Sequence, residues 1–150
     1  MTFPSSKVDA PGIGVDYYHV DGVFDRKVHT NRKEAEFIVD LIYQNIEKYP
    51  NRSLGVVAFS VAQQDLIDKL LSKRRQSTQE KEYFFKNDVK EPFFIKNLET
   101  VQGDERDTII FSIAYGIDAQ GRLLHNFGPL NRVGGERRLN VAVTRAKCNV

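Results

Sequence analysis

A single cysteine, Cys148, rules out an internal disulfide framework and fits a reducing, cytosolic setting. The three histidines, His19, His29 and His125, are scattered, and no metal-ligand spacing connects them. Apolar runs reach only a handful of residues, far short of a membrane span. The opening MTFPSSKVDAPG lacks a basic region followed by an apolar one, so no export signal is read there. Gly and Pro supply 10 and 5 of the 150 residues, and no repeat or low-complexity tract is present, which argues against wholesale disorder.

Several chemistries are missing too. No Gly-Lys pair exists, so the phosphate loop G-x-x-x-x-G-K-[ST] is absent. The one Asp-Glu pair, Asp104-Glu105, follows Gly103 in a loop and does not end an apolar strand, where it would hold magnesium. There is no nucleophile-elbow arrangement, no G-x-G-x-x-G after a strand and no pair of carboxylates at helical spacing that reads as catalytic. Taken alone, the chain is expected not to hydrolyse a nucleotide.

What is present is enough for one domain: 41% hydrophobic residues can enclose an ordinary core. Residues 1–13 read as a flexible lead-in and 14–150 as the domain, cut from something longer and truncated in its last strand. The formal charge of +2 is small, but Arg132, Arg137, Arg138, Arg145 and Lys147 face only Glu136 over residues 132–147. Periodicity predicts a strand over 14–20, a helix over 31–49 capped by Thr30, and a buried strand over 54–59. A helix capped by Ser60 follows, then an ambiguous stretch over 76–92 and a short strand over 93–96. A longer strand over 107–115, a Gly-rich loop and a helix over 136–147 complete the pattern, with a strand starting at Cys148. Alternating strands and helices predict a parallel α/β sheet with helices on both faces and binding chemistry at the carboxyl ends of the strands.

Two stretches invite a functional reading. In ETVQGDERD, Thr100 and Gln102 are uncharged donors suited to phosphate or sugar oxygens, Gly103 permits a tight backbone, and Glu105 can accept from a ribose hydroxyl. On composition alone a polar loop is favoured, with Asp107 as the structural partner of a nearby arginine. In RRLNVAVTRAK, Val141, Val143 and Thr144 are mediocre helix formers, and Arg145 stands among apolar residues where a guanidinium needs a specific partner.

These two stretches, in this order and separated by a Gly-rich loop, resemble the fifth and sixth motifs of superfamily 1B helicases. Leu54 to Leu71 resembles the fourth motif, with Gln63 at its Gln position, and Asn31-Arg32-Lys33-Glu34-Ala35 resembles the N-x-x-E-A helix start. The loop NFGPLNRVGGERRLN is similar to that of large bacterial multidomain helicases. The resemblance implies the second RecA-like domain of such an enzyme, a three-layer fold of P-loop NTPase type that lacks the phosphate loop. It implies that Arg145 reaches the γ-phosphate of ATP, with Glu105 at the ribose and Gln102 and Gly103 lining the cleft. Thr100, Ser60, Gln63 and Arg138 would meet single-stranded DNA or RNA. ATP and Mg would be held mainly by the first RecA-like domain, so this domain would be inactive alone. A non-catalytic scaffold with a degenerate helicase fold is the competing expectation.

Overall fold

The structure is a computed structural model describing residues 13–123 and 126–150. The expected lead-in over 1–13 lies almost wholly outside the described residues. Helix α1 spans Arg32–Lys48, and its N-cap is Asn31, one residue later than expected; the Asn31 side chain accepts from the Glu34 N–H at 3.1 Å. Its buried face carries Ala35, Ile38, Val39, Ile42, Tyr43 and Ile46, the 3–4 residue spacing read from the sequence. Each such aliphatic side chain removed from water contributes about 1.5–3 kcal/mol.

Strand β1, Leu54–Ala58, is buried along its full length, as a central parallel strand must be. Helix α2, Val61–Ser77, is capped by Ser60 as expected and buries Gln63, Ile67 and Leu71 at i,i+4. The ambiguous stretch resolves into a 3-10 helix, Gln79–Phe85, which exists to deliver aromatics: Phe85 packs edge-on against Phe84 and Phe93, and the Arg75 guanidinium lies 4.7 Å from its ring centre. Strand β2 is Phe94–Asn97 and β3 is Arg106–Ser112.

Helix α3 covers only Gly135–Val143, and β4 follows at Ala146–Asn149. The expected helix over 136–147 is therefore four residues shorter at its C-terminal end. Val143 and Thr144, poor helix formers, close it, the Thr144 and Arg145 N–H groups bond back to Asn140 and Ala142, and Ala146 pairs with Arg106 of β3. The expected strand over 14–20 shrinks to an edge contact. Gly14 and Asp16 exchange backbone hydrogen bonds with Cys148 and Val150, and the chain then runs on without further pairing to β4.

All strands are parallel, in the order β2-β1-β3-β4. Leu54, Val56, Ala58 and Ile110 pack under α1 and α2 on one face; Val57, Ile109 and Ala146 pack under Ala142 and Leu139 of α3 on the other. This is the three-layer α/β architecture expected. Gly55 is required by close approach: a Cβ there would fall 2.5 Å from the Phe94 ring of β2, directly across the register.

The link from β2 to β3 is unusual, because eight residues must carry the chain from the carboxyl end of one strand to the amino end of another, across β1. They do so without a helix, pinned to the α3 face by buried Leu98 and Val101. This strap is LETVQGDE, residues 98–105.

Candidate functional site

Because the strap crosses the sheet lengthwise, the expected site residues separate into two groups at opposite edges. At the amino edge, Glu105 directly precedes β3 and Arg145 directly precedes β4, and the register pairs the next residues, Arg106 and Ala146. The sheet thus brings together two residues forty positions apart. Arg145 Nη1 stands 3.4 Å from Glu105 Oε1, Nε donates to the Val141 carbonyl at 3.0 Å, and Nη2 lies 3.4 Å from Thr144 Oγ1. Its guanidinium is partly exposed beside this edge. This placement corrects one expectation, since Arg145 sits in the turn after α3 and not on the helix, and it sets Glu105 and Arg145 at the amino ends of the strands, whereas binding chemistry was expected at the carboxyl ends.

Gln102 and Gly103 are exposed on the strap that leads to Glu105. Gly103 has φ +90° with open space where a Cβ would stand, so backbone conformation, not crowding, selects glycine. Asp104 pairs with Lys96 of β2 and fastens the turn.

Arg106, not singled out from the sequence, anchors this edge. It is buried, donates from Nε and Nη2 to the Pro92 carbonyl at 2.9 and 2.6 Å, and stacks with its guanidinium carbon 4.7 Å from the Phe94 ring centre. Asp107 is not the partner of an arginine. Its carboxylate accepts from the Ser53 backbone N–H at 2.9 Å and its own N–H donates to the Ser53 hydroxyl oxygen at 2.9 Å, joining β3 to the start of β1. Beside it, Lys147 pairs with Glu91, which also accepts from the Ser53 hydroxyl at 2.6 Å. The Lys147 and then the Ser53 hydrogen bonds hold the Glu91 carboxyl below its usual range, and the Glu91 bond raises the Lys147 ammonium.

At the carboxyl edge, Ser60 caps α2 by accepting from the Gln63 N–H at 3.2 Å. Thr100 is exposed, and its hydroxyl closes a turn with Asn97, accepting from the Asn97 N–H at 3.1 Å. Glu99 and Arg132 approach to 4.0 Å, and Arg138, half-buried on the first turn of α3, lies 3.4 Å from the Val133 carbonyl through Nη1. Ser60, Thr100 and Arg138 therefore share one edge, each on a separate element.

Gln63 does not join them. It is wholly buried: Oε1 accepts from the Asn31 N–H at 2.9 Å, and Nε2 donates to the Asn31 carbonyl and to Ser112 Oγ at 3.2 and 3.1 Å. Ser112 in turn donates to Glu34 at 2.7 Å, and Glu34 accepts from the Ala114 N–H, whose residue holds a left-handed φ of 65°. Gln63 thus ties α1, α2 and β3 together from inside and offers no atom to a strand in this conformation. Among the described residues no group of three or more His, Cys, Asp or Glu is placed to hold a metal ion. Nor is any helix among them long and apolar enough to cross a membrane.

A parallel sheet wrapped on both faces, with a basic turn meeting an acidic strap at one edge, is a three-layer α/β domain, and a family model described as an AAA domain matches residues 9–150. The chain belongs to that family. It is 42% identical over 132 residues to the Uncharacterized ATP-dependent helicase MG140 of Mycoplasma genitalium, covering 85% of this chain and 11% of that protein. It is 37% identical over 138 residues to the MG140 homolog of Mycoplasma pneumoniae, with the same coverage of each. The chain spans about one ninth of the length of these relatives.

Proposed function

We propose that this domain is the second motor lobe of an ATP-dependent nucleic-acid helicase of superfamily 1, inactive by itself and completed by a first RecA-like lobe. The observation that carries the reading is the meeting of Glu105 and Arg145 at the amino edge, which gives a ribose acceptor and a phosphate-seeking cation a common address. The residues fit an edge contribution and no more: a guanidinium partly open to solvent, a carboxylate and the exposed Gln102-Gly103 turn, with no phosphate loop in the sequence and, among the described residues, no carboxylates grouped for a metal ion. ATP and Mg are therefore assigned mainly to the first lobe, where bound nucleotide supplies a cleavable phosphoanhydride.

This chain's part is to orient and to neutralise. Arg145, released from Glu105, turns toward the terminal phosphoryl group and stabilises the charge that develops there. Glu105 then accepts from the ribose. Thr100, Ser60 and Arg138 at the opposite edge form half of a track for single-stranded DNA or RNA, with backbone phosphates as the main contact. Gln63 serves that track indirectly, by fixing the first turn of α2. Support comes from the named activity of the two relatives and from the partition of the site residues between two edges joined by one strap.

Steady-state ATPase assays on the full-length protein carrying Arg145→Ala test the reading. Turnover falls by a factor on the order of 10³ or more with the fold retained. Normal turnover would remove Arg145 from the mechanism and favour a non-catalytic scaffold.

A further inference from the structure

The Glu105 side chain is 54% exposed, so its direction depends on the main chain that carries it. The residue before it and the residue after it are both tied down. Asp104 pairs with Lys96 of β2, and the Arg106 side chain turns back to donate from Nη1 to the Glu105 carbonyl at 2.6 Å. The Arg106 N–H donates to the Arg145 carbonyl at 3.0 Å, so one residue holds the backbone of both members of the edge pair.

Both ties rest on one ring. The Arg106 guanidinium carbon lies 4.7 Å, and the Lys96 ammonium 5.4 Å, from the centre of the Phe94 ring. The ring in turn lies against Gly55 of the central strand β1. Phe94 is thus a platform shared by the holders of residues 104 and 106, with Glu105 between them.

Stability alone does not call for an arginine here. Arg106 is buried, and a buried cation is in general a poorer stabiliser than an apolar side chain of similar volume. What the guanidinium adds is direction. Its planar fork reaches the Pro92 carbonyl from Nε and Nη2 and the Glu105 carbonyl from Nη1, a set of donors in fixed relation that a lysine ammonium does not reproduce.

We propose that Arg106 is a positioning residue for nucleotide recognition: seated on Phe94, it aims the Glu105 carboxylate so that the site selects nucleotides with free ribose hydroxyls. This rests on the reading of Glu105 as the ribose acceptor and adds the residue that makes the contact selective. Arg106 touches no nucleotide itself; it acts through Glu105.

The test is isothermal titration calorimetry on the full-length protein, with a non-hydrolysable ATP analogue and its dideoxyribose counterpart, which lacks both ribose hydroxyls. Binding is read, not turnover. A hydrogen bond to a charged acceptor predicts that the unaltered protein binds the ribose form roughly tenfold or more tightly. Arg106→Lys should bring that ratio to within about twofold of unity, and in a Glu105→Ala background the same change should leave the ratio where it is. Phe94→Leu removes the platform while keeping every donor and should lower the ratio in the same direction. It serves as the test if thermal unfolding shows that Arg106→Lys does not fold. Whichever variant folds, a ratio that stays put while both forms bind equally more weakly is the result of a merely structural role and overturns the proposal. Equal binding of the two forms by the unaltered protein overturns it as well, by removing Glu105 from the ribose. The turnover of Arg145→Ala would then still report separately on the motor lobe.

Discussion

Replacing Gln63 by Leu separates a residue that touches nucleic acid from one that holds the fold. The shapes are similar, so little cavity is created and the loss is almost wholly of hydrogen bonds. Of the three groups Gln63 serves, two keep another partner: the Asn31 carbonyl still accepts from the Ala35 N–H at 3.0 Å, and Ser112 still donates to Glu34. The Asn31 N–H alone is stranded, in a residue 3% exposed. One orphaned buried donor costs about 1–3 kcal/mol. For a domain of this size each kcal/mol lowers Tm by about 2–4 °C, so Gln63→Leu should lower it by several degrees. Thermal unfolding followed by circular dichroism gives the shift, and fluorescence anisotropy with a labelled single strand gives affinity well below the transition. A variant with unchanged Tm and weakened binding would refute the structural assignment and return Gln63 to the strand-binding surface.

Glu91 gives a pH test. Its folded pKa lies below the unfolded value, so its contribution is present above the ordinary Glu range, about 4.3, and is lost as pH falls through the folded value. Glu91→Gln should flatten the acid limb of a stability-against-pH curve, while an unchanged limb would discount the Lys147 and Ser53 contacts. Gly55→Ala should destabilise by about 1–3 kcal/mol through the Phe94 ring, as read by urea unfolding. A neutral result would mean that the ring moves aside freely. Single-strand binding by the domain should weaken as salt rises, following the basic surplus of residues 132–147; anisotropy at two salt concentrations checks it, and salt-independent affinity would argue against phosphate contacts.

The elements that could be read in advance were those whose pattern is local. Ala35 to Ile46 repeats at helical spacing, Leu54 to Ala58 is apolar on both faces, and Ser60 caps a helix in the ordinary way. The misplaced elements depend on partners far along the chain. RRLNVAVTRAK keeps an amphipathic look through Lys147, yet Ala146 becomes a strand residue because Arg106 lies opposite. A buried arginine such as Arg106 is legible only once Phe94 and Pro92 are known to surround it. The pairing of Glu105 with Arg145 likewise needed the β3–β4 register, and Gln63, polar at the start of an exposed-looking helix, gave no sign of its interior role.

The strap from Leu98 to Glu105 has a mechanical consequence. With Thr100 near one rim, Glu105 at the other and Val101 sunk into the layer between, it behaves as a tie rod across the sheet. Eight residues join the two rims, so under the proposed function a pull on Thr100 would pass along the strap to the contact between Glu105 and Arg145. Force at one rim and charge at the other would then be two readings of a single displacement.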